Sequence, residues 1–359
     1  MILDKIVMKG TPSKVLGVGI IGCGLIGQKR ANALGSGGKL IACADSAIDK
    51  ATVLANRFNA KSFNDWRDLI AMNEIDIVII STLHDSLAEI TLAAVNFGKN
   101  VLVEKPAART SAELEPILLA LQKNNAKVHV GFNHRYHESV RKALRIIGSG
   151  ELGKIINIRG VYGKSKIIRF DSDWRTKRAM AGGGIFLDQG IHMVDLMRYF
   201  TGEFVEIHSF ISNAFWNHDV EDNAYALMRT KDGVVAMLHS SATQWRHSFN
   251  LSITLTKGAL ILSGILSGSK SYGAETITVV HAKDKDAGDP FEEMTRYNED
   301  NSWRDEVFDF ARAIVENKKI KSGTSLEALE TMKTVYRIYH ADPAWRQKFA
   351  IPDPDRGGL

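Results

Sequence analysis

Val15-Leu16-Gly17-Val18-Gly19-Ile20-Ile21-Gly22-Cys23-Gly24-Leu25-Ile26-Gly27 is the stretch whose reading decides the first third of the chain. The apolar run 15–21 reads as a buried strand, and the glycine turn behind it opens into an amphipathic segment, 25–34, that reads as a helix. A lone G-x-G-x-x-G is weak; a strand before it and a helix after it give it meaning. The glycines permit a tight turn and the approach of a pyrophosphate to a helix N-terminus, where unpaired N–H groups and the helix dipole favour negative charge. Asp45 ends the next apolar run, 40–44, eighteen residues beyond Gly27. It can accept hydrogen bonds from both hydroxyls of a ribose and would repel a 2′-phosphate. No lysine or arginine stands in Ser46-Ala47-Ile48, so NAD is favoured over NADP. Gly22, Gly24, Leu25, Ile26, Gly27 and Asp45 are therefore candidate cofactor residues; a glycine turn with no ligand is the bland alternative.

The same alternation continues outward. Residues 75–80, 101–103 and 128–130 read as further buried strands, and 47–58, 87–97 and 111–124 as helices between them. Strands alternating with helices imply a parallel sheet covered on both faces, so 13–132 reads as a Rossmann-type dinucleotide-binding domain. After Gly131 the pattern changes. A helix at 138–147 ends at Gly148-Ser149-Gly150, and strands at 155–161, 205–211, 223–229, 234–240, 251–256 and 259–262 follow without regular helices between them. Turn signals at Lys231-Asp232-Gly233 and Lys257-Gly258 suit hairpins. Residues 133–342 thus read as an α+β domain with a large, mostly antiparallel open sheet. It includes late helices at 303–316 and 326–339, and Pro343 and Pro352 mark 343–359 as an irregular tail.

Composition bounds the function. The chain has 359 residues, 45% hydrophobic and 24% charged, with a formal net charge of +5. That suits two full-sized globular cores. No basic block marks a nucleic-acid arm, no apolar stretch is long enough to span a bilayer, and the first fourteen residues lack a signal-peptide run. Cys23 and Cys43 do not make a disulfide framework, and a cytoplasmic location is expected. No zinc-type Cys/His cluster is present, so no metal is expected.

Two stretches carry chemistry. In Gly182-Gly183-Gly184-Ile185-Phe186-Leu187-Asp188-Gln189-Gly190-Ile191-His192-Met193-Val194-Asp195, three glycines allow close approach of a ligand and lead into a predicted helix. On that helix Asp188, His192 and Asp195 share one side. A carboxylate one turn from a histidine can orient the ring and fix its tautomer for proton transfer. Alone, the pattern suits a satisfied histidine on a half-buried helix equally well. Glu104-Lys105-Pro106 ends the fifth strand, and ligands of open α/β sheets bind outside the strands' carboxyl ends. Lys105 can there stabilise an alkoxide forming as hydride leaves; a surface lysine at a strand end is the alternative.

Together, the glycine turn at 22–27, Glu104-Lys105-Pro106 and Asp188-x-x-x-His192 resemble the Gfo/Idh/MocA oxidoreductase family, in order across nearly the whole chain. The resemblance implies a nicotinamide-dependent interconversion of hydroxyl and carbonyl on a small-molecule carbohydrate. It implies that Lys105, Asp188 and His192 form the catalytic group, with His192 as proton acceptor. It further implies a homodimer or homotetramer joined through the open face of the second sheet. Many members carry T-P-N-x-x-H after the fourth strand. This chain has Thr82-Leu83-His84-Asp85-Ser86-Leu87, leaving Ser81, Thr82 and His84 as cofactor neighbours along with Glu104 and Lys105.

For the substrate, Asn133, Arg135 and Tyr136 of Asn133-His134-Arg135-Tyr136 are candidates, as are Trp174 and Arg175, since an indole face suits a pyranose ring. Arg159, Lys164, Lys166, Arg169, Arg175 and Lys177 make the surrounding segment basic against Asp171 and Asp173. That suits a phosphate or carboxylate, hence a nucleotide-linked sugar or sugar acid, and suits a solvated positive face as well. Alternatives within reach are a free inositol or cyclitol dehydrogenase, an NAD-using glycosidase of the same family, and a sensor without catalysis.

Overall fold

The computed structural model describes residues 14–165, 174–267, 271–282 and 290–356. They divide into two compact units, the first built from 14–133 with 303–330, the second from 134–302 with 331–356.

In the first unit β1 (Leu16–Ile21), α1 (Leu25–Asn32), β2 (Gly38–Ala44), α2 (Ile48–Phe58), β3 (Lys61–Phe63), α3 (Trp66–Ile70), β4 (Ile77–Ile80), α4 (His84–Asn96), β5 (Asn100–Glu104), α5 (Glu115–Lys123) and β6 (Val128–Gly131) follow one another. Their strands form a six-stranded sheet in the order β3-β2-β1-β4-β5-β6, parallel throughout. This is the doubly wound arrangement, with the order reversing beside β1. The short β3 and α3 carry too few residues to show a period and escape the sequence reading. Leu16, Val18 and Ile20 of β1 share a core with Ile77 and Ile79 of β4 and Leu54 of α2.

The second unit holds α6 (Glu138–Ser149), β7 (Ile155–Ser165), α7 (Arg178–Ala181), a π-helical turn (Phe186–Gly190), α8 (Ile191–Thr201), β8 (Phe204–Ser212), β9 (Asn223–Thr230), β10 (Val235–Gln244), β11 (Ser248–Leu255), β12 (Gly258–Ser263), β13 (Glu275–His281) and β14 (Phe291–Tyr297). Its eight strands run β14-β13-β12-β11-β7-β10-β9-β8, antiparallel except for the β7–β10 pair. On β9, Ala224, Ala226 and Met228 are buried while Tyr225 and Leu227 are exposed, so one face packs and the other stays open. A Cβ at Gly160 of β7 would come within 2.5 Å of Met193 Sδ and 2.6 Å of Met197 Cε. The missing side chain there lets α8 lie close on the sheet.

Three further helices correct the reading of the C-terminal part. The sequence places 303–316 in the second domain, but α9 (Ser302–Val315) brings Val307, Phe310 and Ala311 into the first unit's core. An i, i+3, i+4 apolar stripe needs a face to cover, and nothing local says which sheet offers it. The unit boundary falls within α10 (Ser325–Ala341). The tail is not irregular throughout. Pro343 begins α11 (Pro343–Phe349), where its fixed φ suits the first turn, and the Asp342 side chain caps the helix by accepting from Trp345 N–H at 2.8 Å.

Candidate active site

At the cofactor end, the β1–α1 turn is shaped by what its glycines must avoid. Gly22 has φ +91°, and a Cβ there would lie 2.6 Å from the Ser81 carbonyl; a Cβ at Gly27 would lie 2.0 Å from the Gly22 oxygen. These two glycines let the turn close on itself. Gly24 differs: it begins α1 with φ −68°, no side chain caps the helix there, and its Cβ would meet nothing within 4 Å. The helix N-terminus is therefore open beside bare backbone, the geometry a pyrophosphate needs, and the residues fit the dinucleotide. Leu25 is exposed and Ile26 half-buried beyond it. Asp45 reaches back to the turn, accepting from Cys23 N–H at 2.8 Å and Ala47 N–H at 2.9 Å. Its oxygens keep lone pairs for ribose hydroxyls. Ser81 donates to the Gly22 carbonyl at 2.7 Å, Thr82 accepts from the Ser86 hydroxyl at 2.9 Å, and His84 starts α4 as a buried residue. Gly24→Ala is expected to leave the melting temperature unchanged and to weaken NAD binding about tenfold, the value of one lost pyrophosphate hydrogen bond. Calorimetric titration checks it; unchanged affinity contradicts the placement.

Lys105 follows Glu104 at the carboxyl end of β5, and the Lys105–Pro106 peptide is cis. Lys105 is half-buried. Glu104, read as a cofactor neighbour, is engaged elsewhere: Arg30 Nε donates to it at 2.6 Å, and Arg30 Nη1 donates to Glu306 of α9 at 2.5 Å. His129 Nε2 lies 3.1 Å from the other Glu306 oxygen. Burial raises the Glu104 carboxyl above its usual range despite Arg30. Burial works the same way on Glu306, but Arg30 and His129 overcome it and hold that carboxyl low. Glu104 thus braces the end of the strand that carries Lys105.

In the second unit the 182–195 stretch departs from a plain helix. Asp188 lies in the π turn and His192 in the first turn of α8. A π turn is a common feature of functional sites, and Gly190 fits one here, since a Cβ would meet Phe186 at 2.6 Å and Ser240 at 2.7 Å. Each of the three residues expected on one side has a contact outside that set. Asp188 lies 3.4 Å from Arg175 Nε, and His192 stacks on His134 with ring centroids 3.7 Å apart. Asp195 is fully buried and takes two hydrogen bonds from Arg135, at 2.7 and 2.6 Å. Arg135, read as a substrate contact, is thus committed to a buried pair under Tyr199, and Tyr136 is buried beneath Arg141. Asn133 is buried too, as the last residue before the second unit. Trp174 carries the Arg175 guanidinium 4.5 Å from its ring centroid. Of the basic segment, Lys166, Arg169, Asp171 and Asp173 lie outside the described residues.

The triple glycine also serves a purpose the sequence does not disclose. A Cβ at Gly184 would lie 2.0 Å from the Glu221 carbonyl, and one at Gly183 would lie 2.4 Å from the Tyr339 hydroxyl. The close approach is to the protein's own Glu221, whose buried carboxylate accepts from Gly184 N–H at 2.8 Å, Phe186 N–H at 3.0 Å and Tyr339 O–H at 2.7 Å. A carboxylate at the start of the segment bearing Asp188 and His192 complements the helix N-terminus. Glu221 carries no signal of this role in the sequence, since its partners at 184–186 and 339 are far from it along the chain.

Comparison with known proteins gives the family and the fold. Residues 16–132 match the oxidoreductase family with an NAD-binding Rossmann fold, and 140–261 match the Gfo/Idh/MocA C-terminal domain. The chain is 29% identical over 290 residues to levoglucosan dehydrogenase of Pseudarthrobacter phenanthrenivorans, covering 69% of this chain and 73% of that protein. It is 26% identical over 273 residues to inositol 2-dehydrogenase of Salmonella typhimurium (73% and 78% covered). With 1,5-anhydro-D-fructose reductase of Ensifer adhaerens it shares 28% over 247 residues (67% and 73% covered). In fold it matches levoglucosan dehydrogenase in complex with NADH and levoglucosan, with TM-score 0.83, 24% identity and coverage of 92% and 98%. The two family matches follow one another along the chain, with the glycine turn, Asp45, Lys105, Asp188 and His192 inside them, and the chain belongs to the Gfo/Idh/MocA oxidoreductases, with an NAD-binding Rossmann fold in its first unit.

Proposed function

We propose that the enzyme oxidises a CH–OH group on a cyclic sugar or polyol with NAD, and reduces the carbonyl in reverse. A buried histidine and a buried carboxylate four residues apart, in the segment whose start Glu221 holds, carry this reading. The curated relatives support the substrate class, since levoglucosan, inositol and 1,5-anhydro-D-fructose are ring polyols without phosphate or nucleotide. A nucleotide-linked sugar or sugar acid draws its support from the basic segment. There Arg175 is already paired with Asp188.

In the oxidation direction neutral His192 takes the hydroxyl proton. Asp188 stabilises the imidazolium that results, and the Lys105 ammonium hydrogen-bonds the oxygen as it becomes an alkoxide. Bound NAD supplies the hydride acceptor at C4 of its nicotinamide. Reduction uses the same groups, with His192 returning the proton. Asp45 favours NAD because a 2′-phosphate would face its charge. The exposed Phe210, Tyr225, Leu227 and Met237 on the open sheet face support a homo-oligomer joined there.

The test is turnover with NAD across free polyols, anhydro-sugars, aldoses, uronates and nucleotide sugars, with products analysed by mass. A ring polyol oxidised with matching NADH is the expected result. Bond cleavage without net NADH would establish the glycosidase instead, and activity confined to nucleotide sugars would overturn the substrate class.

A further inference from the structure

We propose that His134 is a positioning residue for His192, and that the two stacked imidazoles form a unit admitting one proton, which goes to His192. The inference rests on the reading of His192 as proton acceptor. The rings lie 3.7 Å apart with planes within 13°, and both residues are buried. On its other sides His134 is held by Tyr162 of β7, whose hydroxyl is 3.1 Å from Nε2, and by His137, which meets it edge-on at 5.5 Å. Phe249 of β11 closes the cluster against Tyr162 at 5.3 Å.

Two positive charges 3.7 Å apart in a setting with an effective dielectric near 20 push the second protonation about three pH units below the first. The neighbours decide which ring is charged. Burial, reinforced by Tyr272 and Asp188, holds the Tyr162 phenol well above its usual range, so it keeps its proton and can donate to His134 Nε2. That hydrogen bond satisfies the neutral ring, with its N–H at Nδ1. His137 Nδ1 lies 2.7 Å from Glu275 of β13. Burial works to raise that carboxyl, but His137 and the Ser139 N–H overcome it and hold it low. The Glu275 carboxylate thus lies on the His137 side of His134, with His137 between them. His192 has Asp188 within the same segment, facing Arg175. Among the described residues near the cluster, two further groups have partners of their own. Arg135 pairs with Asp195, and Tyr272 donates to Gln189 at 3.0 Å with His247 packed against its ring. A neutral ring facing an imidazolium stabilises it and fixes its plane, so His134 holds His192 ready for the proton it accepts.

The experiment is a titration of ring-labelled histidines in the full chain by NMR, with signals assigned through His134→Phe and His192→Gln. In the wild type His192 is expected to protonate first, and His134 about three pH units lower. In Tyr162→Phe the first proton is expected to be shared, with His134 shifting in the same pH range as His192. Independent titration of the wild-type rings within about half a pH unit would overturn the proposal. So would Tyr162→Phe curves superimposable on the wild type. With a substrate in hand, His134→Phe, which keeps the stacked ring, should retain kcat/KM within about tenfold, and His134→Ala should lose more. Equal losses contradict the stack. The titration needs no substrate, so it decides this proposal even if the substrate panel defeats the dehydrogenase reading.

Discussion

His192→Ala is expected to lower kcat about 10²–10⁴-fold, the range for removing a positioned proton acceptor, while NAD binds as before. The two effects separate because His192 belongs to the second unit, whereas the glycine turn and Asp45 belong to the first. Lys105→Met should lower kcat to a similar degree by a different route. It removes the charge that meets the alkoxide and leaves the β5 strand braced by Glu104 and Arg30. Rapid-mixing measurement of NADH formation, beside a binding titration for NADH, checks both. A variant that loses cofactor affinity and activity together would instead mark a structural residue.

Glu221→Ala should combine a stability loss with a catalytic one. Without the carboxylate, the N–H groups of Gly184 and Phe186 and the Tyr339 hydroxyl lose their buried acceptor, at a cost of about 3 kcal/mol. The same bonds pin the entrance to the segment that carries Asp188 and His192, so kcat should fall even where the protein is fully folded. Glu221→Gln keeps the volume and one acceptor and should lose less of both. Urea unfolding with activity measured at low denaturant separates the effects. Full activity in a destabilised Glu221→Ala protein would show that the clamp does not position the site.

The legible parts of this chain are those whose signal is local. The glycine turn reads correctly because a strand, a turn and a helix are consecutive, and Gly22 and Gly27 are needed by the turn itself. The antiparallel strands of the second unit read from their alternation and hairpin turns, though β13 and β14 escape, with residues 283–289 between them outside the described chain. What fails is partner choice across long sequence separation. The apolar stripe of α9 is plain, but its destination in the first unit is not, because a helix carries no label for the sheet it covers. Asp195 resembles a third member of a catalytic face by spacing. Its partner Arg135, sixty residues away, makes it a buried anchor. Gly183 and Gly184 suggest a ligand, and the structure fills the space with Glu221 and Tyr339. In each case the residue type and the local conformation are right, and the neighbour is what the sequence withholds.

The most direct test of the central claim follows the hydrogen itself. A substrate from the panel, deuterated at the carbon bearing the reacting hydroxyl, is turned over with NAD, and the NADH formed is analysed by mass. The account predicts one deuterium at C4 of the nicotinamide per carbonyl formed, in the wild type and, far more slowly, in His192→Ala. Unlabelled NADH, or carbonyl product without NADH, would contradict it.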